Sequence, residues 1–436
     1  MFVKSTLKPS LDRGCLKIKW YFCTAKKIIE HLEDDMIKKL LKIQNFGPVG
    51  TGYDRNDGFI DFSKVMVLCG PQGAGKSCVA KLFSTFSWIE KALVRGDFSI
   101  KYLTSYSRFA NSYCAYQNIQ NYFKPDSLLH YKGEAYEMIY EHGRLTVKAV
   151  KGGNYLRPQI TYIPAERNIL SVLEKAENVK GLPPALATMM DEFTAASRNM
   201  KGNIELPVNH VRYRYDKLNK MAWIESDDYS VRLSETSSGM QSVTPLYIVL
   251  DYLGRNIGVN DTSKSQKERE EIKKRIDELL KDDALDAETR KLLIGSISDT
   301  SNKYLLSIVE EPEQNLYPSS QRHILNALLA LNAAEYNQLV MTTHSPYIIN
   351  YLSLAIKAGK VLEHLPSEKV EQLERVVPVA SVVNGDDVNV LEIAEDGSIS
   401  DLVKYEGMPS DENLLNMFLA ECNDLFGALL ELEEGV

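Results

Sequence analysis

Gly70-Pro71-Gln72-Gly73-Ala74-Gly75-Lys76-Ser77 fits the pattern G-x-x-x-x-G-K-[ST]. Lys64-Val65-Met66-Val67-Leu68-Cys69 precedes it and is short and apolar enough for a buried strand, whereas Cys78-Val79-Ala80-Lys81-Leu82-Phe83 reads as the first turns of a helix. A strand, a glycine-rich loop and a helix together give the setting of a phosphate-binding loop. The glycines let successive backbone N–H groups curl round a phosphate without Cβ clashes, and the helix N-terminus adds its positive end. Lys76 is then expected to reach the β- and γ-phosphates, and the Ser77 hydroxyl to ligate Mg²⁺. The sequence therefore implies a nucleoside triphosphate site built from Gly70, Gln72, Gly73, Ala74, Gly75, Lys76, Ser77 and Cys78.

A second apolar strand, Tyr304-Leu305-Leu306-Ser307-Ile308-Val309, ends in Glu310-Glu311-Pro312-Glu313. By itself such an ending could be an exposed acidic turn. Downstream of a phosphate loop it supplies what nucleotide hydrolysis needs, one acid for the metal shell and one to polarise the attacking water. Glu310 is assigned to the metal and Glu311 to the water. Gln338-Leu339-Val340-Met341-Thr342-Thr343 is a further apolar strand, ending at His344-Ser345-Pro346. Its place one helix after the acidic strand assigns His344 to the γ-phosphate or the water.

The remaining chain of 436 residues bounds the reading further. It suits one large domain with insertions, or two domains. No run of about 18 apolar residues is present, so no membrane span is expected. The six cysteines lack C-x-x-C spacing, which suits reduced thiols in a cytoplasm rather than a zinc site or disulfide framework. A net charge of −8 argues against a generally basic nucleic-acid binder while leaving a local basic patch open.

Residues 1–35 read as an N-terminal extension, and residues 36–436 as the head, with a first strand over Ile37–Ile43. Inserted β and helical segments are expected at 100–230. Among them are a β-hairpin across Ala135–Val150, turning at Glu141-His142-Gly143-Arg144, and strands at 210–215, 222–225 and 229–233. Ser237-Ser238-Gly239-Met240-Gln241 opens an apolar helix. Residues 261–300 are charged and helical in pattern, a projecting hairpin or a coiled-coil arm.

These motifs in this order resemble the ABC-type ATPase heads, in the branch shared by SMC proteins, RecF and the OLD-like bacterial ATPases. Gly70–Ser77 corresponds to Walker A and Ser237–Gln241 to the signature loop. Leu305–Glu311 with Gln314-Asn315-Leu316 corresponds to Walker B and its D-loop, and His344 to the switch histidine. Glu310–Pro318 and Thr343–Pro346 are similar to OLD-related ATPases of bacterial defence. The signature keeps only the Ser-Gly core and final Gln, and no clear Q-loop glutamine is found near Tyr162–Arg167, where Arg167 or Glu166 could stand in. No Toprim pattern of acids follows His344.

The resemblance implies an α/β P-loop NTPase, an ABC-ATPase-like head with a mixed sheet flanked by helices. It implies ATP and Mg²⁺ as ligands, and hydrolysis through Glu311, His344 and Lys76. It also implies head-to-head pairing, as a dimer or an oligomer of dimers, in which Ser238, Gly239 and Gln241 meet the nucleotide of a partner. The leading expectation is a cytoplasmic anti-phage ATPase controlling a separately encoded nuclease or toxin. A RecF- or SMC-like clamp on DNA and an ATP-bound scaffold without turnover are the alternatives.

Overall fold

The strand before the phosphate loop is the centre of the molecule. β4 (Val65–Cys69) is buried along its whole length. In the computed structural model it lies between β14 (Gln338–Thr343) and β15 (Val388–Ile393), parallel to both. The structure describes residues 39–150, 155–173, 181–258 and 301–434; the readings of residues 1–35 and 261–300 lie outside them. Among the described residues the main sheet has seven strands, in the order β2 (Gly52–Tyr53), β16 (Ser398–Asp401), β15, β4, β14, β13 (Tyr304–Glu310), β8 (Pro158–Ile163). From β8 to β15 all neighbours are parallel, and β16 turns back antiparallel to β15.

An all-apolar strand suits a sheet covered on both faces. Met66 and Leu68 point into one core and Val65, Val67 and Cys69 into another, as period-two alternation requires. The first core is closed by a second, antiparallel sheet. Its order is β3 (Phe59–Asp61), β1 (Leu40–Phe46), β5 (Phe123–Lys132), β6 (Tyr136–Glu141), β7 (Arg144–Ala149). Helix α1 (Lys76–Arg95) fills the space between the sheets, with Phe83 stacked on Phe62 at 3.6 Å and Phe86 on Tyr131 at 5.3 Å. The β6–β7 hairpin turns on His142 and Gly143, both in the left-handed region. The segment read as an insertion at 100–230 thus supplies β5 to β7 beside β1, and β8 to the main sheet. Among the described residues the first strand covers Leu40–Phe46.

The second core packs helices on the opposite face: α2 (Pro184–Asn199), α3 (Ser238–Arg255), α4 (Pro318–Leu331) and α5 (Pro346–Leu362). A small antiparallel sheet joins them, in the order β12 (Ser230–Arg232), β11 (Met221–Glu225), β10 (Arg212–Asp216), β9 (Ile204–Glu205). Parallel sheet, antiparallel sheet and helical block make an α/β P-loop NTPase fold. No helix among the described residues is long and apolar enough to cross a membrane.

Helix α3 carries Pro245 in its interior. Proline has no N–H to give the carbonyl four residues earlier, which leaves Gln241 O without its helical donor. The Ser171 hydroxyl donates to that oxygen at 2.6 Å. Ser171→Ala should therefore lower stability by about 1–3 kcal/mol, the cost of orphaning a buried acceptor. In urea denaturation this should appear as a lower midpoint at unchanged slope.

Candidate nucleotide-binding site

The phosphate loop is shaped by what its glycines must avoid. Gly70 has φ 135°, and a Cβ there would meet the Ile393 carbonyl oxygen at 2.1 Å. Gly75, the residue before α1, has φ 120° and would place a Cβ 3.0 Å from Val49. Both positions admit only glycine. Gln72 and Gly73 are exposed, whereas Ala74 is buried. The Cys78 thiol lies inside, 3.9 Å from Phe46 O, and burial pushes its pKa up to about 12. Only the backbone of Cys78 is left to face a phosphate.

Lys76 folds back over the loop. Its Nζ donates to Gly70 O at 2.9 Å and Pro71 O at 2.7 Å, and lies 3.4 Å from His344 Nδ1. His344 Nε2 lies 3.4 Å from Glu311 Oε1. The structure thus brings the three predicted catalytic residues into one chain of contacts. An imidazole that donates from Nε2 to Glu311 has Nδ1 free to accept from the ammonium, so a single tautomer serves both contacts. The hydrogen bond from His344 holds the Glu311 carboxyl below its usual range, with the charges of His344, Arg167 and Lys76 helping. Burial pushes the Lys76 ammonium down to about 8, against the pull of Glu311.

Glu310 ends the wholly buried β13. Its Oε2 accepts from Ala165 N at 3.3 Å, while Oε1 is buried without a partner. An orphaned carboxylate oxygen beside a phosphate loop fits a divalent cation. Among the described residues no cluster of three or more His, Cys, Asp or Glu side chains could hold a metal alone. This suits Mg²⁺, which binds through one or two protein oxygens together with phosphate and water. Ser77, half-buried at the start of α1, is the second candidate oxygen.

Glu311 has φ 43°, in the left-handed region that a non-glycine residue enters at a cost of about 1–3 kcal/mol. Its N–H donates to Thr342 O at 3.0 Å. Arg167 supplies the other restraint, and its part was the least legible in the sequence. Its guanidinium is fully buried, and all of its hydrogen bonds go to backbone carbonyls. Nη1 donates to Glu310 O at 2.7 Å and Pro164 O at 3.2 Å, Nη2 to Glu311 O at 2.7 Å, and Nε to Ser242 O at 3.1 Å. Glu313 was missed as well. Its Oε1 accepts from His344 N and Thr343 Oγ1, each at 2.7 Å, and so sets the loop that carries the histidine. Burial raises its carboxyl pKa. The repeated acids of Glu310-Glu311-Pro312-Glu313 were the one available signal for it.

The signature residues stand apart from this cluster. Ser238 is exposed at the start of α3, and Ser237 caps that helix by accepting from Met240 N at 3.5 Å. Gly239 sits under Asn315, whose carbonyl oxygen would lie 2.7 Å from a Cβ. Gln241 Nε2 donates to Ser234 O and Thr236 O at 3.0 Å, so it braces the turn before α3 rather than facing outward. Among the described residues, no hydrogen bond or ion pair links Ser237–Gln241 to the phosphate loop of the same chain.

Residues 168–349 match the family described as AAA ATPase domain, a span that holds the signature, the acidic strand and His344 but begins after the phosphate loop. The SMC head domain from Thermotoga maritima is similar over 85% of this chain and 100% of that one, at 11% identity and a TM-score of 0.37. An Smc head with an extended coiled coil, bound to the C-terminal domain of ScpA derived from Pyrococcus furiosus, is similar over 84% of this chain and 94% of that one. The identity there is 11% and the TM-score 0.34. A dimeric ATP-binding cassette bound to ADP and Pi in a post-hydrolysis state covers 85% of this chain and all of its own, at 9% identity and a TM-score of 0.29. Comparison with curated proteins gave no match.

Triphosphate binding should restore the charge on Lys76. With its free pKa near 8 and a polyanion raising it, binding takes up a proton above that pH, and affinity falls as pH rises from about 8 toward 10. Calorimetry at pH 9 in buffers of different ionisation enthalpy should show this uptake, and Lys76→Arg, charged throughout, should abolish it. Equal heats in every buffer would mean that Lys76 is already charged before binding.

Proposed function

We propose that this chain is an ATPase that works as a switch, closing head-to-head on ATP and opening after hydrolysis. The observation that carries the proposal is the convergence of Lys76, His344 and Glu311 beside Glu310, while Ser238 stays exposed and unconnected to that cluster. A signature helix whose first residue is exposed and makes no bond to its own phosphate loop suits the γ-phosphate of a second copy.

In this reading the loop amides and Lys76 hold the β- and γ-phosphates. Ser77 and Glu310 would hold Mg²⁺, which would neutralise charge on the phosphate oxygens. Glu311, kept ionised by His344, orients the attacking water and accepts its proton. His344 then faces the developing charge on the phosphate. Closure follows from ATP having contacts to both heads that ADP lacks, which gives it the differential affinity a switch needs. The OLD-like character of Glu310–Pro318 and Thr343–Pro346 extends the proposal to a cytoplasmic bacterial defence ATPase that holds or releases a separately encoded effector.

The test is the solution mass and turnover of Glu311→Gln with and without Mg-ATP. Turnover should fall at least about 100-fold, as loss of a general base entails. The mass should double on ATP and stay doubled, because closure is formed but not spent. A protein of unchanged mass that binds ATP with wild-type affinity would sink the switch reading.

A further inference from the structure

We propose that Arg167 is a positioning residue that ties the start of α3 to Glu311. Through it, the γ-phosphate engaged by the Ser238 end of α3 in one composite site sets the aim of the water-activating carboxylate in the other. The inference rests on the dimeric reading above and gives it an internal linkage.

The geometry is unusual for a buried arginine. Glu310, Glu311 and Glu313 are all close enough to act on its charge, yet its hydrogen bonds take no carboxylate oxygen. The four acceptors are carbonyls from three separate segments. Pro164 follows β8, Glu310 and Glu311 close β13, and Ser242 lies one turn into α3. A planar guanidinium holds such acceptors in one fixed relation, which a flexible ammonium cannot do.

A second tie runs beside the first. Ser242 Oγ donates to Gln314 Oε1 at 3.0 Å, and Gly239 packs directly beneath the Asn315 carbonyl. The first turns of α3 and the residues on either side of Glu311 are therefore held as one block. Glu311 occupies a left-handed conformation that its neighbours must maintain. A shift of α3 on binding a partner's phosphate moves Ser242 O. The guanidinium follows, and with it the Glu310 and Glu311 carbonyls, so the Glu311 side chain is re-aimed. None of these bonds touches the phosphate loop, so nucleotide affinity is left alone.

The test uses the full chain and measures three quantities: the Kd of a non-hydrolysable ATP analogue, kcat, and the Hill coefficient of turnover against ATP. Wild type should show a Hill coefficient above 1. Arg167→Lys should hold Kd within about threefold, lower kcat at least about 30-fold and bring the Hill coefficient to 1, a split that general loss of structure does not produce. Wild-type kcat and cooperativity in Arg167→Lys would overturn the linkage, and so would parallel loss of binding and turnover in a variant that still folds. Should Arg167→Lys not fold, Arg167→Gln is read in the same way: held Kd with lowered kcat and a Hill coefficient of 1 supports the linkage, and wild-type kcat and cooperativity overturn it. If wild type itself has a Hill coefficient of 1 and no ATP-dependent change of mass, the dimeric reading fails first and takes the linkage with it.

Discussion

A buried strand that ends in three carboxylates within four residues cannot stand without compensation. Desolvating several like charges together costs far more than any packing of the strand returns unless cations and donors meet them. The structure supplies this from several directions. Arg167 lies beneath the strand end, Lys76 and His344 approach from the phosphate-loop side, and the Ala165 N–H meets Glu310. Glu313 Oε1 is met by the loop that carries His344, while its Oε2 is buried without a partner. The position of each charged element in the site follows from this one requirement. Two carboxylate oxygens remain unmet, Glu310 Oε1 and Glu313 Oε2.

The parts legible in the sequence were those whose physics is local. A phosphate loop announces itself because glycine, lysine and serine at fixed spacing answer constraints set within eight residues. The β6–β7 hairpin was legible because His142-Gly143 can adopt the left-handed pair that a two-residue turn needs. The acidic strand was legible once a phosphate loop was present upstream. Arg167 was not, because an arginine near a strand end ordinarily reads as a surface charge, and its acceptors come from residues 164, 242, 310 and 311. Val388–Ile393 was not either. Its apolar alternation suits any half-buried strand, and nothing in it tells that it lies beside β4.

The same division separates the two halves of the site. Lys76, Glu310, Glu311 and His344 sit at the carboxyl ends of adjacent parallel strands, where such a sheet gathers its ligands. The signature residues belong to the helical block, and their local bonds serve that block. Ser171 repairs the carbonyl that Pro245 abandons, Gln241 braces the preceding turn, and Gly239 seats the helix against the segment after Glu311. One end of α3 is thus exposed while its next turn is tied to the end of the acidic strand β13 and the segment after it.

The crowding of Gly70 against Ile393 bears on how the protein is made. Both strands that flank β4 come from far later in the chain, at residues 338–343 and 388–393. During synthesis the motif that grips phosphate emerges early but has neither neighbour to shape it. Until β15 leaves the ribosome, the Gly70 turn lacks the wall it is fitted to. A nascent or prematurely ended chain therefore carries the motif without the pocket. Nucleotide binding becomes, in effect, a proof that translation has reached the far side of the sheet.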